Sequence, residues 1–251
     1  MSDNTDERQW DIEELLHRRS DLSTFVIHWT RESEDATPAR DNLLNILETR
    51  TLEARNPMGA ARRPIQDKLQ GSVREEALHS QKVVCFTEAP LDQAWSFVCN
   101  IKYRNIQLAP FGLAFTKTAA RKMGINPVWY TDTTPSGHDW LIKHVWDLVD
   151  RAIEAGSAFA DEPIAGIAPF VEGMGTWEGS KKEFWWEREW RHLGNRKFAL
   201  DDVAVVLCPE RDMEYFQGHV TSSSGRSVPL IDPRWGLEYI IAQLAHLPPK
   251  E

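Results

Sequence analysis

Residues 24–30, TFVIHWT, decide the fold, because β-branched and aromatic side chains follow one another there without a helical spacing. Such a run predicts a buried β-strand. A charged loop comes next, and then Pro38, a residue favoured in the first turn of a helix, opens an apolar stripe that ends at Leu47. This part of the chain is therefore expected to form a strand, a loop and a helix.

The remaining segments mix strands and helices without strict alternation. Strands are predicted over residues 82–87, 111–116, 127–130, 164–171, 183–191 and 203–207, and helices over residues 10–19, 91–98, 138–154 and 232–247. Residues 55–64 combine prolines, a Met-Gly step and arginines, which predicts a mobile loop. The mixture favours an α+β fold with a mixed, mainly antiparallel, split β-sheet flanked by helices. We expect a single domain over residues 9–251 and a disordered polar tail over residues 1–8.

Composition and charge exclude several classes of protein. The 251 residues include 29 Lys and Arg against 38 Asp and Glu, a formal net charge of -9, which disfavours a generic cationic nucleic-acid binder. Three cysteines without a close pair exclude a disulfide framework and offer no zinc-ligand spacing. No apolar run approaches the roughly 18 residues of a membrane span, and the N-terminus lacks the features of a signal peptide. We therefore expect a cytoplasmic protein with neither a metal site nor a membrane partner.

Two strand ends carry side chains that could bind a ligand. Alternation along the first strand places His28 and Thr30 on one face. Alternation along residues 82–88 places Phe86 and Thr87 on different faces of their strand. An imidazole or hydroxyl can hydrogen-bond a sugar or phosphate, and a phenyl ring can stack on an aromatic ring. For an isolated motif, a half-buried histidine bonded to a backbone carbonyl is the commoner case.

A third motif, EFWWEREWR at residues 183–191, combines aromatic side chains with carboxylates. If it forms a strand, Glu187, Glu189 and Arg191 share one face, with the two carboxylates about 7 Å apart. Such a pair suits a reaction in which positive charge develops on a sugar ring. A helix, in which Glu187 and Arg191 would pair, remains open, as does an exposed face of alternating charges.

Basic residues cluster around the proline-containing loop, at Arg50, Arg55, Arg62, Arg63 and Lys68. They predict either an arginine-bearing lid over the phosphates of a dinucleotide or polynucleotide, or a solvated surface. The sequence has no Walker-type loop, Rossmann glycine motif, His-Glu-x-x-His helix or nucleophile elbow. Most nucleotide-binding and hydrolase templates are therefore excluded.

The order of these motifs resembles that of the bacterial AbiGi-type abortive-infection family over approximately residues 24–198. It also resembles a broader group of bacterial proteins with a similar cysteine-phenylalanine strand and a Glu-x-Glu-aromatic-Arg ending. The matching motifs are His28-Trp29-Thr30, Asn42-Leu43 with Ile46-Leu47, Val84-Cys85-Phe86-Thr87-Glu88 with Pro90-Leu91, Phe111-Gly112-Leu113-Ala114-Phe115 with Lys117, Pro127-Val128-Trp129-Tyr130 and Glu187-Arg188-Glu189-Trp190-Arg191. Six short motifs in one order rarely arise by chance.

A more distant similarity links this group to ADP-ribosyltransferases of the diphtheria-toxin and DarT kinds. The similarity implies an ADP-ribosyltransferase-like fold in which His28 holds the adenine-side ribose of NAD. It implies that Phe86 and Thr87 line the nicotinamide pocket. It also implies that Glu187 or Glu189 is the catalytic carboxylate on the nicotinamide ribose.

Thr30 and Arg55 complete the residues expected to bind NAD. The family pattern also includes a tyrosine that stacks on the ligand, and this position has three candidates here, namely Phe86, Tyr103 and Tyr130. The resemblance therefore leaves open both the stacking residue and the identity of the catalytic glutamate.

Three functional hypotheses follow. In the first, the protein acts in bacterial anti-phage defence and consumes NAD as substrate without a metal, either as an ADP-ribosyltransferase with a protein or nucleic-acid acceptor or as an NAD glycohydrolase. In the second, it is a non-catalytic antitoxin or sensor that binds a toxin partner, another protein or a nucleotide. In the third, it modifies nucleic acid, and residues 55–63 contact the phosphates.

Overall fold

A computed structural model of the chain describes residues 22–99, 106–135, 139–177 and 180–245. The predicted tail at residues 1–8 and the predicted helix at residues 10–19 lie outside the described residues. Tyr103, one of the three candidates for the stacking position, lies outside them as well.

Helices and strands follow one another in mixed order. The α-helices are α1 (Ala39–Thr49), α2 (Arg62–Lys68), α3 (Gly71–Ser80), α4 (Trp95–Val98), α5 (Lys117–Lys122), α6 (Trp140–Glu154), α7 (Met213–Phe216) and α8 (Leu237–Leu244). The strands are β1 (Phe25–Trp29), β2 (Thr51–Leu52), β3 (Asn56–Pro57), β4 (Lys82–Glu88), β5 (Gly112–Thr116), β6 (Asn126–Pro127), β7 (Trp129–Asp132), β8 (Val171–Trp177), β9 (Ser180–Lys182), β10 (Glu189–Leu193), β11 (Arg196–Lys197), β12 (Val203–Leu207) and β13 (Leu230–Ile231). Within the described ranges, no helix is long and apolar enough to span a lipid bilayer.

The main sheet confirms the expected α+β class. Its strands are ordered β13-β12-β5-β1-β4-β10-β6, with β3 beside β4. Neighbouring strands are antiparallel except β12 and β13, which are parallel. The smaller sheet β7-β8-β9 begins with a parallel pair and ends with an antiparallel pair. The chain therefore forms one domain with a mixed, mainly antiparallel sheet flanked by helices.

The sheet is split at one edge of β4. Along its other edge, β4 pairs with β10 over most of its length. At the split edge it pairs with β1 only at Thr87 and Glu88, and with β3 only at Lys82 and Val83. Beyond that contact β1 remains paired with β5. Residues 84–86 therefore face a gap between β1 and β3.

Apolar clusters on both faces of the main sheet hold the strands around this gap. On one face of the sheet, Val26, Phe86 and Phe115 pack with residues of α1 and α7. On the opposite face, Ile27 and Ala114 pack with residues of α4 and α8. A third cluster joins α2, α3 and α6 to the turns around residues 159–168. Burial of apolar surface on both faces thus fixes the strand ends that border the gap.

The prediction of a strand at residues 164–171 is wrong, because most of this segment forms tight 3-10 turns and the strand begins only at Val171. Pro163 and Pro169 start these turns, and a proline has no N–H to donate to a sheet ladder. Ala168 is fully buried against helices. A short apolar run indicates burial without distinguishing a strand from a turn or helix.

The predicted strand at residues 183–191 is wrong in its first half. Phe184–Glu187 forms a 3-10 turn, Arg188 adopts a left-handed conformation with φ of 46°, and β10 begins at Glu189. The turn is held by a tertiary contact, since Trp186 packs with the cluster that includes α4. Aromatic side chains predict a strand from local preference, and packing overrides that preference here.

This correction changes the expected arrangement of the acidic residues. Glu189 and Arg191 share one face of β10, as predicted for a strand. Glu187 lies on the preceding turn, so the three side chains do not belong to one strand face.

Two further boundaries differ from the prediction. Within the expected loop at residues 55–64, Asn56–Pro57 pairs with β4 and α2 begins at Arg62. The last helix begins at Leu237, five residues later than predicted for residues 232–247. Asp232 instead accepts a hydrogen bond from the Arg234 N–H and shapes a turn.

Candidate functional site

A cavity of about 450 Å³, hereafter the split-sheet cavity, lies at the gap beside β4. Its volume falls within the usual range of small-molecule sites, roughly 300–1,000 Å³. Side chains that are far apart in the sequence meet here. The site residues predicted from the sequence all line it, namely His28, Thr30, Arg55, Phe86, Thr87, Glu187 and Glu189.

His28 bridges the gap between β1 and β4. Its Nδ1 lies 2.9 Å from the backbone carbonyl oxygen of Cys85. Burial lowers the pKa of His28 and the charge of Arg55 lowers it further, although the bond to Cys85 opposes this. The imidazole is therefore neutral near pH 7, and Nδ1–H donates because a carbonyl oxygen can only accept. This tautomer leaves Nε2 as an acceptor suited to a ligand hydroxyl.

The neutral, partly buried His28 is expected to make stability depend on pH. As the pH falls below about 7, the unfolded chain takes up a proton that the folded chain resists, so the free energy of unfolding should fall. The variant His28→Asn, whose amide can still donate to Cys85, should flatten this dependence. Urea unfolding between about pH 7 and pH 5 measures it, with His144→Asn at an exposed position as the control. An unchanged slope in His28→Asn would contradict the prediction.

Thr30 and Phe86 are engaged by the protein itself. The Thr30 hydroxyl donates to the backbone oxygen of Ala39 at 2.9 Å and so holds the start of α1. Phe86 is 1% exposed and meets Phe115 edge-on, with ring centroids 6.0 Å apart. The Phe86 ring also lies 5.6 Å from that of His28. In this arrangement both residues support the wall of the cavity and the position of the histidine.

An ion pair within β10 occupies one end of the cavity. Arg191 Nε donates to Glu189 Oε1 at 2.9 Å, and Arg191 Nη2 donates to Glu189 Oε2 at 2.7 Å. The Arg191 side chain is 0% exposed and that of Glu189 is 15% exposed. A contact through two parallel hydrogen bonds fixes orientation as well as charge. The arginine therefore sets the direction of the Glu189 carboxylate.

A second carboxylate shares the same guanidinium group. Arg191 Nη2 also donates to Glu172 Oε2 at 2.7 Å, and Nη1 donates to the backbone oxygen of Pro169. Lys182 pairs with the outer oxygen of Glu172. Burial raises the pKa of Glu172, but Arg191 and Lys182 outweigh it and bring that pKa below its ordinary value. Positive and negative groups thus alternate in the order Glu189, Arg191, Glu172 and Lys182.

Glu187 reaches the split-sheet cavity from a different piece of backbone. It ends the 3-10 turn, and the left-handed Arg188 separates it from β10. Next to it, Trp186 stacks on Phe97 with ring centroids 5.1 Å apart. Glu187 and Glu189 are therefore not equivalent, because one stands on a packed turn and the other is oriented by a buried arginine.

The cavity has a basic part and an acidic part. Arg55 directly precedes β3, whose Asn56 is opposite Val83, whereas Glu189 is opposite Thr87. Four residues of extended strand separate these positions along β4, which corresponds to about 13 Å. Other arginines that line the cavity are Arg31 and Arg62. A ligand that extends along β4 meets Arg55 with its partner Glu53 in one region and Glu189 with its partner Arg191 in the other.

The basic residues of the predicted lid do not lie together at one site. Arg55 and Arg62 line the split-sheet cavity, and Arg63 lines a neighbouring cavity. Lys68 pairs with an aspartate of α6 at 2.7 Å. Arg50 ends α1 in a left-handed conformation.

Sequence reasoning missed Glu172 and Lys182. Both lie on the hairpin β8-β9, outside the motifs that resemble the family. The one available signal was Glu172 itself, a carboxylate directly after an apolar run and before Gly173. That local pattern does not predict that Glu172 pairs with Arg191.

Tyr130 and Cys85 complete the surroundings of Glu189. The Glu189 N–H donates to the Tyr130 hydroxyl oxygen at 3.2 Å. Burial and then the nearby Glu189 raise the pKa values of Tyr130 and of the Cys85 thiol. Both groups therefore stay protonated, so Cys85 is not an activated nucleophile. Among the described residues, no cluster of three or more His, Cys, Asp or Glu side chains could hold a metal ion.

One comparison with known proteins agrees with the motif resemblance. A family model described as "Putative abortive phage resistance protein AbiGi, antitoxin" matches residues 65–213, more than half of the chain, and confirms that resemblance. A solved structure, Thermus sp. 2.9 DarT in complex with ADP-ribosylated ssDNA, is similar with a TM-score of 0.35 and 16% sequence identity. The match covers 84% of this chain and 94% of that chain. No curated protein matches the sequence significantly.

Proposed function

The chain belongs to the AbiGi family of abortive phage resistance proteins, and we propose that it is an enzyme which binds NAD in the split-sheet cavity and cleaves its nicotinamide–ribose bond. NAD carries negative charge on its pyrophosphate and positive charge on its nicotinamide ring. The arginines near Arg55 suit the pyrophosphate, and the carboxylates around Glu189 suit the nicotinamide ribose. The distribution of charge along β4 supports this orientation.

The proposed reaction needs a carboxylate beside a positively charged sugar. The bond between ribose C1′ and the nicotinamide nitrogen breaks, both electrons pass to that nitrogen, and neutral nicotinamide leaves. Positive charge then develops on the ribose ring, and the Glu189 carboxylate stabilises it. Water or a nucleophile on an acceptor forms the new bond to C1′ and gives up a proton. These two outcomes correspond to an NAD glycohydrolase and an ADP-ribosyltransferase.

The observation that carries the proposal is the fixed orientation of Glu189. Its two oxygens are held by the fully buried Arg191, which is itself held by Glu172. A charge that is already oriented stabilises a transition state without reorganisation during the reaction.

The family description favours a second candidate, a non-catalytic antitoxin that binds a toxin partner. The bidentate contact between Arg191 and Glu189 is compatible with this reading, because an engaged carboxylate is partly neutralised. In that case the cavity would bind a nucleotide without changing it, or would serve only to shape the domain.

Incubation of the purified protein with NAD separates the two candidates. We expect saturable binding by calorimetry and release of nicotinamide measured by chromatography. Binding without release, or stable association with a toxin partner and no effect of NAD, would favour the antitoxin. Absence of both binding and release would overturn the proposed enzyme.

A further inference from the structure

A second cavity, of about 410 Å³, adjoins the split-sheet cavity. Trp146 and Ile142 of α6 form one wall, and Arg63 of α2 and Lys182 of β9 contribute basic side chains. The two cavities share Glu172 and Lys182, so they meet beside the buried Arg191. The NAD reaction proposed above makes no use of this second cavity.

Part of the wall of the second cavity is bare backbone. A Cβ atom at Gly59 would lie 2.0 Å from the Ala168 oxygen, and one at Gly173 would lie 2.6 Å from Thr133 Cγ2. Larger residues at these positions would displace the neighbouring segments. Glycine therefore allows the close packing of the segments that form this wall.

The charges of the second cavity favour an anion. The charged side chains that line it are two cations, Arg63 and Lys182, and one carboxylate, Glu172, which pairs with Lys182. The lining therefore carries a positive balance. The Arg63 side chain is 72% exposed, and its Nε lies 3.7 Å from Oδ2 of the similarly exposed Asp67. Exposed ion pairs of this kind are weak. An incoming phosphate can compete for both cations because each has an exposed side chain.

The apolar wall adds a second requirement. Trp146 is half-buried and packs beside Ile142, which is almost fully buried. An indole provides a large, rigid surface on which a planar ring can stack. A ligand that uses both features carries an aromatic ring and a phosphate group.

We propose that the second cavity binds a nucleoside phosphate, with the phosphate on Arg63 and Lys182 and the base against Trp146. This site is separate from the NAD site and does not depend on NAD chemistry. The two sites are coupled through Glu172, because a phosphate that draws Lys182 away from Glu172 leaves Arg191 as the cation paired with that carboxylate. A ligand in the second cavity therefore changes the electrostatic environment of the ion pair that orients Glu189.

Calorimetric titration of the full-length protein with AMP tests the proposal. Loss of a charged hydrogen-bond donor typically weakens binding by about tenfold or more, so Arg63→Ala should raise the Kd for AMP by at least that factor. Trp146→Leu, which keeps an apolar side chain, should also weaken AMP binding. Arg74→Ala, at an arginine of α3 that lines neither cavity, is the matched control and should leave the Kd unchanged.

Two further probes identify the source of the ligand. Binding of AMP points to a free nucleotide, whereas binding of oligothymidylate but not AMP points to a nucleotide within a strand. Inorganic phosphate that binds equally well, with no effect of Trp146→Leu, would contradict the aromatic part of the proposal. Absence of binding by all three probes would overturn it. Loss of AMP binding in Arg55→Ala but not in Arg63→Ala would do so too, because AMP would then occupy the split-sheet cavity.

Discussion

Glu189→Gln is expected to lower the rate of nicotinamide release by about 10²–10³-fold at saturating NAD. The substitution removes the negative charge beside the ribose while keeping the shape of the side chain. Its amide oxygen can accept one of the two hydrogen bonds from Arg191, its amide nitrogen cannot accept the other, and Arg191 keeps its contact with Glu172. The loss of turnover should therefore appear in kcat of the folded variant, whose thermal unfolding transition should be lowered but still cooperative.

Glu187→Gln is the matched comparison, because it removes the same charge from the same cavity. Its effect should be much smaller, since Glu187 stands on the 3-10 turn and is not oriented by Arg191. A large loss in Glu187→Gln with no loss in Glu189→Gln would transfer the catalytic role to Glu187. Normal turnover in both variants would exclude a catalytic role for either carboxylate.

Arg191→Met is expected to reduce the free energy of unfolding by about 3–5 kcal/mol. The arginine is fully buried, and one of its nitrogens is 2.7 Å from an oxygen of Glu172 and 2.7 Å from an oxygen of Glu189. Those two oxygens are therefore at most twice that distance apart. Without the guanidinium, two carboxylates in a poorly solvated site repel each other, and the Pro169 carbonyl loses its donor. Urea unfolding near pH 7 measures the change.

Two controls separate this effect from simple loss of an arginine. Arg211→Met, at a side chain that is 83% exposed, should change stability by no more than about 0.5 kcal/mol. In a background with Glu172→Gln and Glu189→Gln, Arg191→Met should cost clearly less, because no buried carboxylates are left unpaired. The penalty in the single variant should also shrink as the pH falls, because the unpaired carboxylates then take up protons in the folded state. An equal cost in both backgrounds would contradict the charge-based account.

Much of the sheet could be predicted because strand signals are local. β1, β4 and β12 coincide closely with runs rich in β-branched residues, and β5 coincides with an apolar run. Alternation along such a run also predicts which side chains share a face. This alternation correctly predicted that Phe86 and Thr87 lie on different faces of β4. Phe86 faces the core, and Thr87 is paired with Glu189 across the strands.

Prediction was wrong where packing outweighs local preference. The tryptophan-rich residues 184–187 form a turn, because Trp186 finds Phe97 as its partner. The apolar residues 164–170 fold into 3-10 turns against helices. In both segments the residue types indicate burial, and they do not indicate which distant surface supplies it.

The sequence by itself determined the central strands β1, β4, β5 and β12, their faces and the residue types that border the split-sheet cavity, because side-chain direction repeats every two residues along a strand. Only the tertiary structure decided that β1 leaves β4 after Thr87, that His28 closes this gap and that Glu172 shares Arg191 with Glu189. Pairing between buried charges depends on positions in space, since a buried guanidinium must find carboxylates and carbonyls wherever the packing places them.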